Sequence, residues 1–366
     1  MFTTDINEIN KRSAEKRIWQ GIPSIEVTKN GRIFTTYYSG GVKEEIGNYV
    51  LLDKSDDGVN YLTVALALPE SDARYFDPCV WLDPLGRLWV TWSRFPGNTV
   101  FGVICDEPDA DKLVFGDEFV IGHDVMMNKP TVLSSGEWAF PVAVWREGVH
   151  VIKPTEMPLP AGSYAYITSD NGKTFECRGK ADVPDRSYDE HMFLEQEDGS
   201  VTVFVRTSKG IGTARSLDGG RTWSEGEPNV IAGPCSRFHI RRLPSGRILL
   251  VNHYEFTGRN NLTAFLSEDD GRTWKYRLLL DERNDVSYPD AAIGKDGSIY
   301  IIYDRERGAL KKTLDEALAC AREVLVARIS EQDIINGAVS GDGYLKRVVS
   351  KLTVYEGDDP FAEKAQ

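Results

Sequence analysis

The sequence holds little that would place it in a membrane, on a nucleic acid or around a metal. No apolar run in its 366 residues approaches the roughly 20 that span a bilayer. Its 43 Lys and Arg stand against 56 Asp and Glu, a net charge of −13. So acidic a chain offers no basic face for a phosphate backbone, which excludes nucleic acid as a partner. Five cysteines (Cys79, Cys105, Cys177, Cys235, Cys320) are odd in number, widely spaced and free of any C-x-x-C. Reduced core thiols fit that usage better than a disulfide framework or a zinc site. Five histidines form no H-x-x-x-H pair, so no catalytic metal is expected. No Gly-rich loop follows a strand and opens a helix, which removes nucleotide cofactors, and no cofactor is expected at all. The start, Met1-Phe2-Thr3-Thr4-Asp5-Ile6, lacks the basic and apolar segments of a signal peptide; with the reduced thiols, this predicts a cytoplasmic protein. Helix is scarce as well. The best candidate runs from Leu310 to Ala321, with Leu310, Leu314, Leu318 and Ala321 at helical spacing, and is read as a surface insertion over 308–322.

What is present is repetition. A polar or charged opening residue, a strand, a turn with Gly and a second strand rich in Val, Ile, Trp, Phe and Tyr recur six times. The copies run from Gly21-Ile22-Pro23 to Tyr38, Phe76-Asp77-Pro78 to Ser93, and Asn128-Lys129-Pro130 to Trp145. They continue from Asp189-Glu190-His191 to Arg206, Ser236-Arg237-Phe238 to His253, and Tyr288-Pro289-Asp290 to Tyr303. The turn glycines Gly31, Gly86, Gly136, Gly199, Gly246 and Gly297 are 55, 50, 63, 47 and 51 residues apart. A period near fifty with several short strands per unit predicts propeller blades, six of them, in an all-β fold. A closed propeller of this size is a single domain, 1–366, and residues 1–16 are expected to form an arm or the outer strand that closes the ring. A second repeat, S/T-x-D-x-G-x-T-W/F, occurs at Thr168–Phe175, Ser216–Trp223 and Ser267–Trp274, with a weakened copy at Asp56–Tyr61. Its Asp folds onto nearby backbone N–H groups and its Gly supplies positive φ, which makes it a hairpin device rather than a catalytic one.

In a propeller the innermost strands begin at one rim of the central channel. Asp77, Glu190, Arg237 and Tyr288 each precede their turn glycine by nine residues, so four blades present ionisable groups at equivalent positions, where packing alone would select Val or Ile. Glu190 and Tyr288 carry the sharpest chemistry. A phenol is a poor nucleophile near neutral pH because its pKa is about 10, and a carboxylate within reach can take its proton as attack begins. A Tyr nucleophile suits an anomeric carbon that already bears a carboxylate, since a neutral phenol avoids the repulsion an Asp or Glu would meet. Asn128 and Lys129 open the third blade as candidate contacts to sugar hydroxyls. His191 and His239 adjoin opening residues, and strand alternation turns such neighbours to opposite faces, so they are read as core histidines.

The repeated turns resemble the Asp boxes of the sialidase (neuraminidase) superfamily, and the order of the opening residues resembles its exo-sialidases over most of the chain. The resemblance implies that Glu190 is the base, Arg206 and Arg259 are two members of an arginine clamp on a substrate carboxylate, and Tyr288 is the nucleophile that opens the last blade. Arg237, Asp77, Asn128, Lys129 and Asp290 complete the expected substrate-binding set. Two positions depart from the family's pattern. Its first blade opens Arg-Ile-Pro, where this chain reads Gly21-Ile22-Pro23; Arg17, Arg74 or Arg237 are the candidates to replace the missing guanidinium. The family's acid/base Asp lies in the loop after the first blade's second strand, where this chain offers Glu44 or Glu45. The leading expectation is a sialidase-like exo-glycoside hydrolase acting on a small acidic sugar or oligosaccharide by a retaining mechanism. The alternatives are a non-catalytic carbohydrate-binding propeller, and a hydrolase or lyase for another uronic or ulosonic acid glycoside.

Overall fold

The computed structural model describes residues 1–145, 159–308 and 311–361. Six antiparallel sheets form the blades of a propeller, spanning 20–67, 74–123, 131–181, 192–232, 239–281 and 286–351. Each blade lays its four strands side by side in sequence order, and first strands meet around the axis between blades one and two, three and four, four and five, five and six, and six and one. Phe2–Thr3 adds a fifth strand to the outer edge of blade one by pairing with Leu62–Ala67, which places the start of the arm as an outer strand.

The core lies between the blades. Six clusters of buried side chains fill the six interfaces; that between blades one and two, for example, packs Phe34 and Leu52 against Val80 and Trp92. The strand residues that alternate toward these seams are the β-branched and aromatic side chains that favour a pleated, buried surface. The repeated turn behaves as its chemistry dictates. Asp218 Oδ1 accepts from the backbone N–H groups of Arg221 and Thr222, and Oδ2 accepts from the Thr222 hydroxyl at 2.6 Å. Gly220 adopts φ 87°, and Trp223 stacks on Phe193 at 5.8 Å between ring centroids. The turns at Asp170 and Asp269 repeat the pattern.

Helix differs from expectation. The insertion forms a single turn and a half, Leu314–Leu318, capped by the Thr313 hydroxyl; Leu310 lies outside the described residues. Two further short helices, Ile6–Asn10 and Glu331–Asn336, were not foreseen. Helices of five or six residues present too short an apolar stripe for periodicity to reveal them. The second of them nevertheless carries a full local signature, a capping box between Ser330 and Asp333 and a left-handed C-cap at Gly337.

Candidate active site

Three inner strands, Gln20–Val27, Arg74–Leu82 and Val286–Ile293, are broken by bulges at Ile22-Pro23, Asp77-Pro78 and Tyr288-Pro289. Pro has no N–H to give to a ladder, so it is tolerated where pairing is already interrupted. The residue before each Pro takes a positive φ, 58° at Ile22, 48° at Asp77 and 56° at Tyr288. Non-glycine residues adopt that conformation only where the surroundings enforce it. Glu190, just ahead of the inner strand Met192–Glu195, has φ 37°. These residues, with Met127, line one pocket of about 410 Å³. Ile22 and Met127 also precede their turn glycines by nine residues, so five of the six equivalent positions face this pocket.

At its base lies a hydrogen-bonded trio. The Tyr288 hydroxyl donates to Glu190 Oε1 at 3.1 Å, and Arg206 Nη1 donates to the same oxygen at 2.6 Å and to Tyr288 Oη at 3.2 Å. All three side chains are buried. Burial and then the Glu190 charge push the Tyr288 phenol up to about 12, against the pull of Arg206, Arg307 and Arg259. Its proton therefore leaves only to a base, and Glu190 is in place to receive it. Arg206 loses solvent by burial, yet Glu190 and Tyr288 hold its pKa well above the ordinary value.

Guanidinium groups surround the phenol. Arg259 lies over the Tyr288 ring at 5.3 Å and Arg307 over it at 4.5 Å. Arg206 and Arg259 both donate to the Cys235 carbonyl, at 3.2 and 3.0 Å. Arg307 is the residue the sequence reading missed. A Cβ on Gly21 would lie 2.2 Å from Arg307 Cδ, 2.6 Å from its Cγ and 2.9 Å from Asp304 Oδ2. The space that a first-blade arginine would occupy is thus filled from the last blade. Of the candidate replacements, Arg74 lines the pocket with its guanidinium 4.4 Å from the Phe76 ring. Arg17 does not; it is buried against Gln20 and Tyr37. Two adjacent signals pointed to Arg307: a glycine where an arginine was expected, and an Arg-Glu-Arg run leaving the neighbouring sixth blade.

The pocket also holds the carboxyl groups of Glu44, Asp77 and Glu190. Glu44 Oε1 is 3.4 Å from Arg307 Nη1. Glu45 is spent on its own loop, where its Oε1 accepts from Val42 N at 2.7 Å, and it does not line the pocket. Asp77 is 3% exposed; burial, then Glu44 and Glu190, push its carboxyl well above the usual range against Arg74 and Arg237. Five cationic side chains (Lys43, Arg74, Arg206, Arg259, Arg307) face these three carboxyls. A basic pocket in a chain of net charge −13 is electrostatically suited to an anion.

Four of the expected sugar contacts lie elsewhere. Arg237 is fully buried, donating to Asn128 Oδ1 at 2.7 Å and to the Pro23 and Met127 carbonyls at 3.0 and 3.2 Å. Asn128 donates in turn to the Glu190 and His191 carbonyls at 2.8 and 3.0 Å, so it fixes the backbone that carries Glu190. Lys129 pairs with Asp290 at 2.9 Å and donates to the Ile25 and Val80 carbonyls. Against the upward push of burial, Lys129, His239 and Arg237 hold Asp290 well below the usual carboxylate range. A knot of buried polar groups drawn from all six blades thus ties the ring together beneath the pocket. The physical reason is direction: Asn128, Lys129 and Asp290 stand one or two places beyond the rim position and point into the protein, while Arg237 stands at the rim position but its long side chain turns inward to the Pro23 and Met127 carbonyls. A separate cavity of about 370 Å³ beside Lys129, His239 and Arg242 contains neither Tyr288 nor Glu190.

Comparison with known proteins gives this geometry its context. The BNR repeat-like domain family matches residues 109–301. The chain is similar to a sialidase of Bacteroides fragilis, 25% identical over 250 residues that cover 61% of this chain and 44% of that protein; it spans less than half of that relative's length. Among solved structures, an intramolecular trans-sialidase from Ruminococcus gnavus in complex with oseltamivir carboxylate superposes with a TM-score of 0.66 at 14% identity, covering 89% of this chain and 97% of that one. A leech intramolecular trans-sialidase complexed with 2,7-anhydro-Neu5Ac gives 0.68 at 14% identity, covering 90% and 70%. An alpha-L-arabinanase from Penicillium chrysogenum gives 0.57 at 12% identity, covering 86% and 94%. At these identities the likeness is one of fold, the six-bladed propeller of the sialidases.

Proposed function

The chain belongs to the BNR repeat-like domain family, and on that footing we propose that it is a sialidase-like glycoside hydrolase that removes an anionic sugar by a retaining mechanism. The observation that carries the proposal is the 3.1 Å hydrogen bond from the Tyr288 hydroxyl to Glu190, with Arg206 on the same carboxylate oxygen. The similarity to the Bacteroides fragilis sialidase supports it.

Glu190 takes the phenol proton as Tyr288 Oη attacks the anomeric carbon, and the bond to the aglycone breaks. Arg206 keeps Glu190 oriented and offsets the negative charge that gathers on the phenol oxygen. Water then attacks the anomeric carbon and gives one proton to the pocket acid that had protonated the aglycone oxygen, the bond to Tyr288 breaks, and Glu190 returns the proton to the phenolate. The configuration is retained because the carbon is inverted twice. Arg206, Arg259 and Arg307 ring the phenol and would grip the substrate's anionic group as a carboxylate, whose oxygens planar guanidinium groups match in pairs. The substrate class follows: a glycoside of an acidic sugar, sialic acid or another ulosonic or uronic acid.

The test is a screen of chromogenic glycosides of sialic acid, other ulosonic acids, uronic acids and neutral sugars. Cleavage confined to acidic glycosides, reduced by orders of magnitude in a folded Tyr288→Phe variant, is the expected result. Preference for a neutral sugar, or full activity without the phenol oxygen, would refute the assignment.

A further inference from the structure

Accepting the hydrolase reading above, on which this inference rests, we propose that Asp77, and not Glu44 or Glu45, protonates the leaving oxygen and later takes a proton from the incoming water. Asp77 sits on the same kind of bulge as Tyr288, nine residues before its turn glycine. The first strands of blades two and six both contact that of blade one, so Asp77 and Tyr288 line the pocket from the two blades that flank Ile22.

The state of its carboxyl sets it apart. Among the described residues no group hydrogen-bonds to it, although it is 3% exposed. Buried polar groups are nearly always partnered, and one left open at a pocket wall needs an explanation. The charged groups that face it are Glu44 from the first-blade loop, Glu190 from blade four, Arg74 from its own strand and Arg237 from blade five; Tyr38 packs nearby on blade one. Burial and the two carboxylates outweigh the two guanidinium groups, so the proton is retained above the usual range. A carboxyl held above the usual range in a cleft is suited to give its proton to a leaving group. Glu44 is differently placed: its side chain is 35% exposed and ion-paired with Arg307. Glu45 holds its loop.

In the first step the bond between the anomeric carbon and the glycosidic oxygen breaks, its electron pair stays on oxygen, and that oxygen takes the Asp77 proton. In the second, the Asp77 carboxylate takes a proton from water as the water oxygen bonds to the anomeric carbon, which restores Asp77 for the next cycle.

The experiment pairs two glycosides of the same acidic sugar, one with an aryl leaving group such as 4-nitrophenol and one with a simple alkyl alcohol. An alkoxide cannot leave without a proton, whereas nitrophenolate can. Asp77→Asn should lose roughly 10²- to 10⁴-fold in kcat/KM on the alkyl glycoside and far less on the aryl glycoside. The alkaline limb of its pH profile on the alkyl substrate should flatten, and Asp77→Glu should recover part of the loss. Glu44→Gln should affect both glycosides alike. Equal losses in Asp77→Asn on both substrates, or a leaving-group-dependent loss in Glu44→Gln, would overturn the assignment while leaving the hydrolase reading intact. If the unaltered protein cleaves neither glycoside nor any other acidic one, both fall together.

Discussion

Removing Arg307 tests whether the last blade has taken over a role that the first blade gave up. Arg307→Met keeps the aliphatic stem that packs beside Gly21 and deletes the guanidinium 4.5 Å from the Tyr288 ring. A hydrogen bond to a charged partner contributes about 1.5–3 kcal/mol, so KM for an acidic glycoside should rise about 10- to 150-fold at 1.4 kcal/mol per decade. KM for a matched neutral glycoside should move little. Gly21→Ala should reproduce part of the effect with the addition of one carbon, because its Cβ would lie 2.2 Å from Arg307 Cδ and drive that side chain aside. The strongest form is the exchange: in an Arg307→Ala background the cleft beside residue 21 is vacant, and Gly21→Arg should restore affinity there although it is harmful alone. Such reversal of sign between backgrounds is the mark of two residues sharing one space. Steady-state kinetics on both glycosides, with circular dichroism to establish folding, reads the unaltered protein and all five variants. An unchanged KM in Arg307→Met, or equal rises on acidic and neutral glycosides, would refute the reasoning.

Two further predictions concern the interior. Lys129→Met leaves Asp290 and Glu26 buried without their shared cation and should cost about 3–5 kcal/mol in urea unfolding, while the ratio of KM for acidic to neutral glycosides stays the same; an unchanged unfolding midpoint contradicts the structural role. His191 is buried, donates from Nε2 to the Tyr164 carbonyl at 2.9 Å and is pushed down by burial from 6.5 to about 4. Its unfolded form binds a proton that its folded form refuses, so its stabilising contribution is complete above pH 6.5 and is lost as pH falls toward 4. The stability gap between the unaltered protein and His191→Gln should therefore narrow by about 1.4 kcal/mol per pH unit across that window, and a gap independent of pH would show that His191 titrates normally.

How much of this was legible in the sequence follows from which features are local. The blade period, the turn glycines and the S/T-x-D-x-G-x-T-W/F turns depend on neighbours a few residues away, and they gave the six-bladed fold. The nine-residue spacing located Asp77, Glu190 and Tyr288 on one pocket because strand geometry repeats from blade to blade. The same spacing failed at Arg237, whose side chain runs inward to the Pro23 and Met127 carbonyls; spacing gives position along a strand but not whether a long side chain turns toward solvent or toward a buried acceptor. Asn128, Lys129 and Asp290 were misread because they stand one or two places beyond the equivalent position, where the side chain points into the protein. Arg307 was missed because the space it fills is defined by an absence on a different blade, 286 residues away in sequence. The choice among Glu44, Glu45 and Asp77 was invisible too, since it turns on burial and partners.

The most direct test of the central claim is to trap the sugar on the protein. A fluoride of the cleaved acidic sugar, carrying a second fluorine beside the anomeric carbon, retains a good leaving group while the second fluorine slows release of the glycosyl–enzyme intermediate. Peptide mapping by mass spectrometry should find the glycosyl mass on the peptide containing Tyr288, absent in Tyr288→Phe and slow to form in Glu190→Gln. A label on an Asp or Glu side chain instead, or turnover with inversion at the anomeric carbon and no label, would contradict the account.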